Sequence, residues 1–270
     1  MTQTHAKNIK IPSSILTHLV SCIDLTSLNS TDDSKNISSL CEKGITNGVA
    51  AICIYPIWIK SSKKITKNTF VKTASVAGGF PSGQVPLPIK TSEVKYAIDH
   101  GADEIDYVFP RYKALNKKWD DLYEEIATIR EVCGKDITLK IILETGELQS
   151  KEIIAKTTEV AIKAGADFIK TSTGKTAIGA TNEAIEIICE CILAHFITHK
   201  KMVGIKASGG ISNINQALDY YSIVKNILGN KWLHKNYFRI GTSKLLDNII
   251  QLNETISSLK PPPLSYVNQL

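Results

Sequence analysis

Arginine is scarce in this 270-residue chain, with only Arg111, Arg130 and Arg239 against a large lysine complement. The net charge of +6 is spread along the sequence without a long basic block, a pattern that does not favour nucleic-acid binding. No C-x-x-C pair occurs among the six cysteines, and several lie within apolar stretches, as reduced buried thiols do. That points to the cytoplasm. No signal-type apolar core opens the chain, and the greasiest run, Val49 to Ile59, is broken by Pro56 and falls short of the roughly 18 residues that a membrane span needs. No Gly/Ser linker divides the sequence. With 43% apolar and 21% charged residues, its composition is that of an ordinary globular protein.

Eight short apolar, strand-like runs are present, most of them followed by a segment of helical period: His18 to Leu25, Ala50 to Tyr55, Val71 to Val76, Glu104 to Phe109, Thr138 to Glu144, Phe168 to Thr171, Val203 to Ala207 and Phe238 to Gly241. Helix signals lie between them. Ser150 caps a segment that stops at Gly165, another runs from near Trp119 to Gly134, and Thr181 and Ser212 are placed to cap the next two. This order predicts a single α/β domain, a (β/α)8 TIM barrel over residues 1–270, with an N-terminal extension to about residue 17 and a proline-rich tail from about residue 260. A doubly wound open sheet is the competing architecture.

An internal repeat narrows the choice. AIDHGADEID (Ala97 to Asp106) resembles AIKAGADFIK (Ala161 to Lys170), and the offset of 64 residues spans two βα units. Asp106 and Lys170 then take equivalent places on strands four and six, and alternate barrel strands contribute to one interior layer. Direction follows from alternation, because each strand's outer face must meet apolar helix surface. Ile23, Leu25, Ile105, Tyr107, Phe109, Leu139, Ile141, Leu143, Ile169, Val203 and Ile205 are expected to face outward. Asp24, Glu104, Asp106, Lys140, Ile142, Glu144, Lys170 and Lys206 are left facing the lumen.

A free lysine has a pKa of about 10.4, so only about one in a few thousand is the neutral amine at pH 7. Desolvation and a second cation both lower that value. An ammonium on the adjacent strand at roughly 5 Å supplies about 3 kcal/mol of repulsion at an effective dielectric near 20, or about two pKa units. With Lys206 in that place, Lys170 becomes a nucleophile able to form a Schiff base with a carbonyl substrate, and Asp106 moves protons directly or through a water. The bland alternative is an ion-pair network that merely fills the barrel. The cluster's position at the C-terminal rim, where barrel enzymes keep their sites, favours chemistry.

Past the sixth strand, Lys175 follows Gly174, and glycine-rich turns recur as Ser208-Gly209-Gly210 and Gly241-Thr242-Ser243. Such turns hold phosphate through backbone N–H groups, although they also serve simply as tight turns. The triplet GKT is no nucleotide P-loop, since that pattern needs glycine where Ile169 stands. Cys191, His195 and His199 fall four apart on one helix face, toward the stability end of a barrel, and are not read as a metal site. Cys53 is read as a small luminal core residue without a partner base.

Seven segments in order, IDLTSLN, AAICIYP, GADEIDYVFP, KIILETGEL, AGADFIKTSTGK, GIKASGG and RIGTS, together resemble the deoxyribose-phosphate aldolase family of class I aldolases, from Ile23 to Leu246. The resemblance implies reversible cleavage of 2-deoxy-D-ribose 5-phosphate to acetaldehyde and D-glyceraldehyde 3-phosphate, with no metal and no other cofactor. It assigns Lys170 as the Schiff-base residue, Lys206 as its cationic neighbour and Asp106 as the proton-transfer residue. Asp24, Thr26, Cys53, Thr173, Gly174, Lys175, Gly209, Gly210, Gly241 and Ser243 are implied as substrate-binding positions. Departures are the Ser243-Lys244 pair, where many members carry two serines, and an extra glycine in VAGGFPSG. The implied partners are small phosphorylated sugars and aldehydes, with no nucleic acid and no membrane; a homodimer or larger homo-oligomer is compatible with the sequence. A phosphosugar isomerase or an aldolase using another donor, either sharing the phosphate turns, and a basic binding or scaffold protein are the alternative readings, which a two-carbon acetaldehyde adduct on Lys170 would exclude.

Overall fold

The computed structural model describes residues 11–258. Helix α1 (Ser13–Ser21) leads into β1 (Ile23–Thr26), α2 (Ser34–Asn47), β2 (Ala51–Ile54), α3 (Ile59–Thr66), β3 (Lys72–Ala77), α4 (Leu87–Asp99) and β4 (Glu104–Val108). There follow α5 (Tyr112–Leu115), α6 (Trp119–Cys133), β5 (Thr138–Ile142), α7 (Lys151–Lys163), β6 (Phe168–Lys170), α8 (Asn182–His199), β7 (Gly204–Ser208), α9 (Ile214–Leu228), β8 (Phe238–Thr242) and α10 (Leu245–Ser258). The eight strands are parallel, and β8 pairs with β1 to close the barrel. This is the predicted (β/α)8 architecture.

Every side chain assigned outward by alternation belongs to one continuous core between strands and helices, including Ile105, Tyr107, Leu139, Ile141, Ile169 and Ile205. The expected caps hold at Ser150, whose side chain accepts from Ile153 N, and at Thr181, which accepts from Ala184 N. Ser212 is corrected by one position, because Asn213 caps α9 by accepting from Asn215 N. A larger correction concerns His18 to Leu25, whose first four residues close α1, with Leu16 and Leu19 buried on its inner face. An apolar run this short does not distinguish the two periods. The segment from Ser13 to Thr17 is therefore the start of a packed helix. The third difference is at β5, which ends at Ile142, so Glu144 lies beyond the strand with φ +59°.

The repeat that set the register has a mechanical basis. Asp103 and Asp167 each precede a strand and accept a hydrogen bond from the neighbouring strand's backbone, at Thr73 N and Leu139 N, both at 2.8 Å. Each also holds a cation, Lys63 at 2.6 Å and Arg130 at 2.7 Å. Gly101 and Gly165 turn the chain with φ of +101° and +103°, and a Cβ on either would press against the stem of that same cation. Two copies of one clamp thus put Asp106 and Lys170 at matching heights.

Candidate active site

Seven charged side chains fill the lumen: Asp24, Glu104, Asp106, Lys140, Lys170, Lys206 and Arg239, all nearly or wholly buried. Their arrangement has two levels. Near the N-terminal end, Arg239 donates to Asp24 at 2.6 Å and to Glu104 at 2.8 Å, and Lys140 pairs with Glu104 at 2.6 Å. Above them, Asp106 takes Lys140 on Oδ1 at 2.8 Å and both Lys170 and Lys206 on Oδ2, each at 2.7 Å. Two nitrogens each 2.7 Å from one oxygen are separated by no more than twice that distance, about 5.4 Å. Strand register sets this up, since Lys170 and Lys206 are paired Cα positions on β6 and β7. Gly241 on β8 leaves room for the second lysine, as a Cβ there would lie 3.0 Å from Lys206 Cε.

Electrostatics separate the three groups. Burial alone would raise the Asp106 carboxyl, but the ammonium groups of Lys140, Lys170 and Lys206 hold it well below the usual carboxylate range. Burial would lower Lys206, yet Asp106 and Asp24, the latter at 2.5 Å, keep its ammonium above the ordinary lysine value. Lys206 is therefore a fixed cation, and Asp106 at rest is an anion between it and Lys170. Burial acts first on Cys53 and raises its thiol, which donates to Asp106 Oδ2 at 3.7 Å and so serves as luminal packing with a weak polar contact.

A cavity of about 540 Å³ opens at the C-terminal mouth, a size suited to a small metabolite. Lys170 reaches it from below. The other predicted positions that line it are Thr26, Thr173, Gly174, Lys175, Gly209, Gly210, Gly241 and Ser243. Asp24, Cys53, Asp106 and Lys206 do not; they lie deeper, with Asp24 bound to Lys206 and Arg239. Residues that sequence reasoning left out include Asn29, Ser212 and Lys244 at the rim, and Arg239 in the lumen. Arg239 shares strand parity with Gly241, which was the available signal for its inward direction. His195 and His199 stack at 4.4 Å on α8, away from this mouth. No group of three or more His, Cys, Asp or Glu residues suited to a metal occurs among the described residues. None of the described helices is long and apolar enough to cross a membrane.

Comparison with known proteins adds an independent line. The pattern of the DeoC/LacD family aldolases matches residues 18–226. The human deoxyribose-phosphate aldolase is 39% identical over 250 residues, covering 85% of this chain and 78% of that protein. The mouse enzyme of the same name gives the same identity and coverage. Among solved structures, an aldolase designated QR15 aligns with a TM-score of 0.74 and 29% identity, covering 90% of this chain and 99% of its own. The tetrameric deoxyribose phosphate aldolase of Aeropyrum pernix shares the fold, with a TM-score of 0.70 at 23% identity over 89% of this chain and 93% of its own.

Proposed function

The chain belongs to the DeoC/LacD family of aldolases, and from that premise we propose that it is a class I aldolase cleaving 2-deoxy-D-ribose 5-phosphate reversibly into acetaldehyde and D-glyceraldehyde 3-phosphate. One observation carries the assignment of the nucleophile. Of the four luminal cations, only Lys170 lines the mouth cavity while also touching Asp106.

The amine of Lys170 attacks C1 of the open-chain sugar and loses water to give an iminium. Its positive nitrogen draws the C2–C3 bonding pair as the C3 hydroxyl gives up its proton, and glyceraldehyde 3-phosphate departs. The remaining two-carbon enamine takes a proton at C2, and water then releases acetaldehyde from Lys170. Asp106, as a buried carboxylate between two amines, is the group through which these protons move. Lys206 places a second positive charge within about 5.4 Å of the Lys170 nitrogen, the arrangement by which a neighbouring cation activates an amine nucleophile. Four cations face three carboxylates, so the lumen carries one formal positive charge in excess.

Lys175, Lys244 and the turns at Gly209-Gly210 and Gly241-Ser243 line the cavity and would hold the phosphate. Six free thiols fit a reducing cytoplasm. The test is borohydride reduction in the presence of acetaldehyde, followed by mass spectrometry. A two-carbon adduct on Lys170 is expected, absent from Lys170→Leu; an unmodified Lys170 in the intact protein would refute the reading.

A further inference from the structure

Four described non-glycine residues adopt positive φ: Lys117, Glu144, Gln149 and Lys200. Three are exposed, and Glu144 alone is fully buried. The left-handed region strains a residue bearing a Cβ, so a buried case persists only where its surroundings over-determine it, and such cases gather at functional sites. Here the constraint is the carboxylate. Oε2 accepts from Arg111 at 2.8 Å and from the Thr173 hydroxyl, while Oε1 accepts from Thr173 N at 3.2 Å and from the Thr176 hydroxyl at 3.1 Å. Thr173 Oγ1 in turn accepts from Lys175 N at 3.1 Å. Glu144 is thus bonded to both flanks of the β6–α8 loop.

Arg111 extends the tie. It donates to the carbonyls of Pro81 and Ser82 and pairs with Glu147 at 2.7 Å, joining the loops after β3, β4 and β5. Glu144 does not line the mouth cavity, whereas Thr173, Gly174 and Lys175 do.

We propose that Glu144, braced by Arg111, is a positioning residue that sets the β6–α8 loop for the phosphate end of the substrate. Its influence falls on phosphate recognition, because the loop carries Gly174 and Lys175, while Lys170 is fixed by the strand. The inference rests on the aldolase reading above. A strand continued through residue 144 would have turned this carboxylate into the lumen; the left-handed turn directs it to the loop instead.

The test compares cleavage of 2-deoxyribose 5-phosphate and unphosphorylated 2-deoxyribose by wild type, Glu144→Gly and Glu144→Gln. Glycine accepts the backbone conformation, so Glu144→Gly removes the ties without adding strain. The preference in kcat/KM for the phosphorylated sugar is expected to fall about tenfold in Glu144→Gly, mainly through KM, as expected for loss of charge-assisted hydrogen bonds. Glu144→Gln keeps an acceptor for Thr173 but loses the ion pair with Arg111, and is expected to fall about threefold. Acetaldehyde trapping on Lys170, which requires no phosphate, reports whether the barrel and its amine remain intact. Equal losses for both sugars in the two variants would overturn the proposal. A wild-type protein with no preference for the phosphorylated sugar would sink the phosphate reading first, before any substitution is made.

Discussion

Replacing Lys206 by leucine removes one charge from a place where its effect can be calculated. The two ammonium groups lie within about 5.4 Å of each other, through their shared contact with Asp106 Oδ2. At an effective dielectric near 20 their repulsion is about 3 kcal/mol, equivalent to roughly a hundredfold in an equilibrium constant. Two further effects have the same sign. Without Lys206, Asp106 is left more fully to Lys170, and Asp24 loses a partner at 2.5 Å, so both anions stabilise a positive charge on Lys170 more strongly. Because Asp24 and Asp106 hold Lys206 above the ordinary lysine value despite its burial, Lys206 stays cationic throughout the range in which aldol cleavage is assayed. Lys206→Leu is therefore expected to lower kcat/KM at neutral pH by at least about a hundredfold, with the deficit narrowing as pH rises and the profile displaced upward. The assay is kcat/KM for 2-deoxyribose 5-phosphate from pH 6 to 10, beside the rate of borohydride trapping with acetaldehyde. A loss of the same size at every pH would refute the reasoning, because it would mean that Lys206 acts by something other than its charge on Lys170.

Asp24→Asn removes the carboxylate shared by Lys206 and Arg239 and leaves both cations less compensated, at a cost of about 3–5 kcal/mol in urea unfolding at pH 7. Burial would raise Asp24, but Lys206, Arg239 and Lys140 push it below its ordinary value. Its contribution is then present above the unfolded pKa of about 3.9 and is lost as pH falls through the folded value, so the gap between variant and wild type should close only in strong acid. At the rim, Lys175→Met and Lys244→Met should each raise KM for the phosphorylated sugar about fivefold, with kcat little changed and salt sensitivity reduced; unchanged KM in both would remove these side chains from the phosphate site.

Strand parity was readable because the barrel's outer face must be apolar, and the outward assignments for Ile105, Tyr107 and Ile205 follow from that requirement alone. The juxtaposition of Asp106 with Lys170 was readable because the AxxxGAD repeat encodes a physical clamp, with Asp103 and Asp167 holding the adjacent strand's backbone. Neither argument reaches the features that were missed. Arg239 sits on a short strand, FRIGT, whose small inward neighbour Gly241 carries no hydrophobic signal, and its partners Asp24 and Glu104 are 215 and 135 residues away. Glu144 has the right parity for the lumen, and nothing in a period-2 pattern shows that the strand stops at Ile142 and turns left-handed. The helix at Ser13–Ser21 was hidden for a third reason: its residues from His18 onward run into the apolar β1 segment with only Cys22 between the two elements, and Pro12 before it was the start signal.

The lumen is divided, and the division explains why Lys170 is placed where it is. On the side of β1 to β3, Leu28, Ala51, Cys53, Ala74 and Val76 form a separate apolar cluster, joined by Tyr55 and Phe80. The side from β4 to β8 carries six of the seven charges, with Asp24 of β1 closing the ring. Buried ion networks contribute little to stability compared with apolar packing, because desolvation offsets much of the attraction. A barrel filled only for stability would extend the small apolar wall around the whole circle. Retaining charges on one side keeps their mutual interactions strong, since the apolar wall opposite holds few groups that could screen them. Lys170 ends at the upper edge of that charged side, where the network meets the cavity, so the amine proposed as the nucleophile is also the one that a substrate can reach.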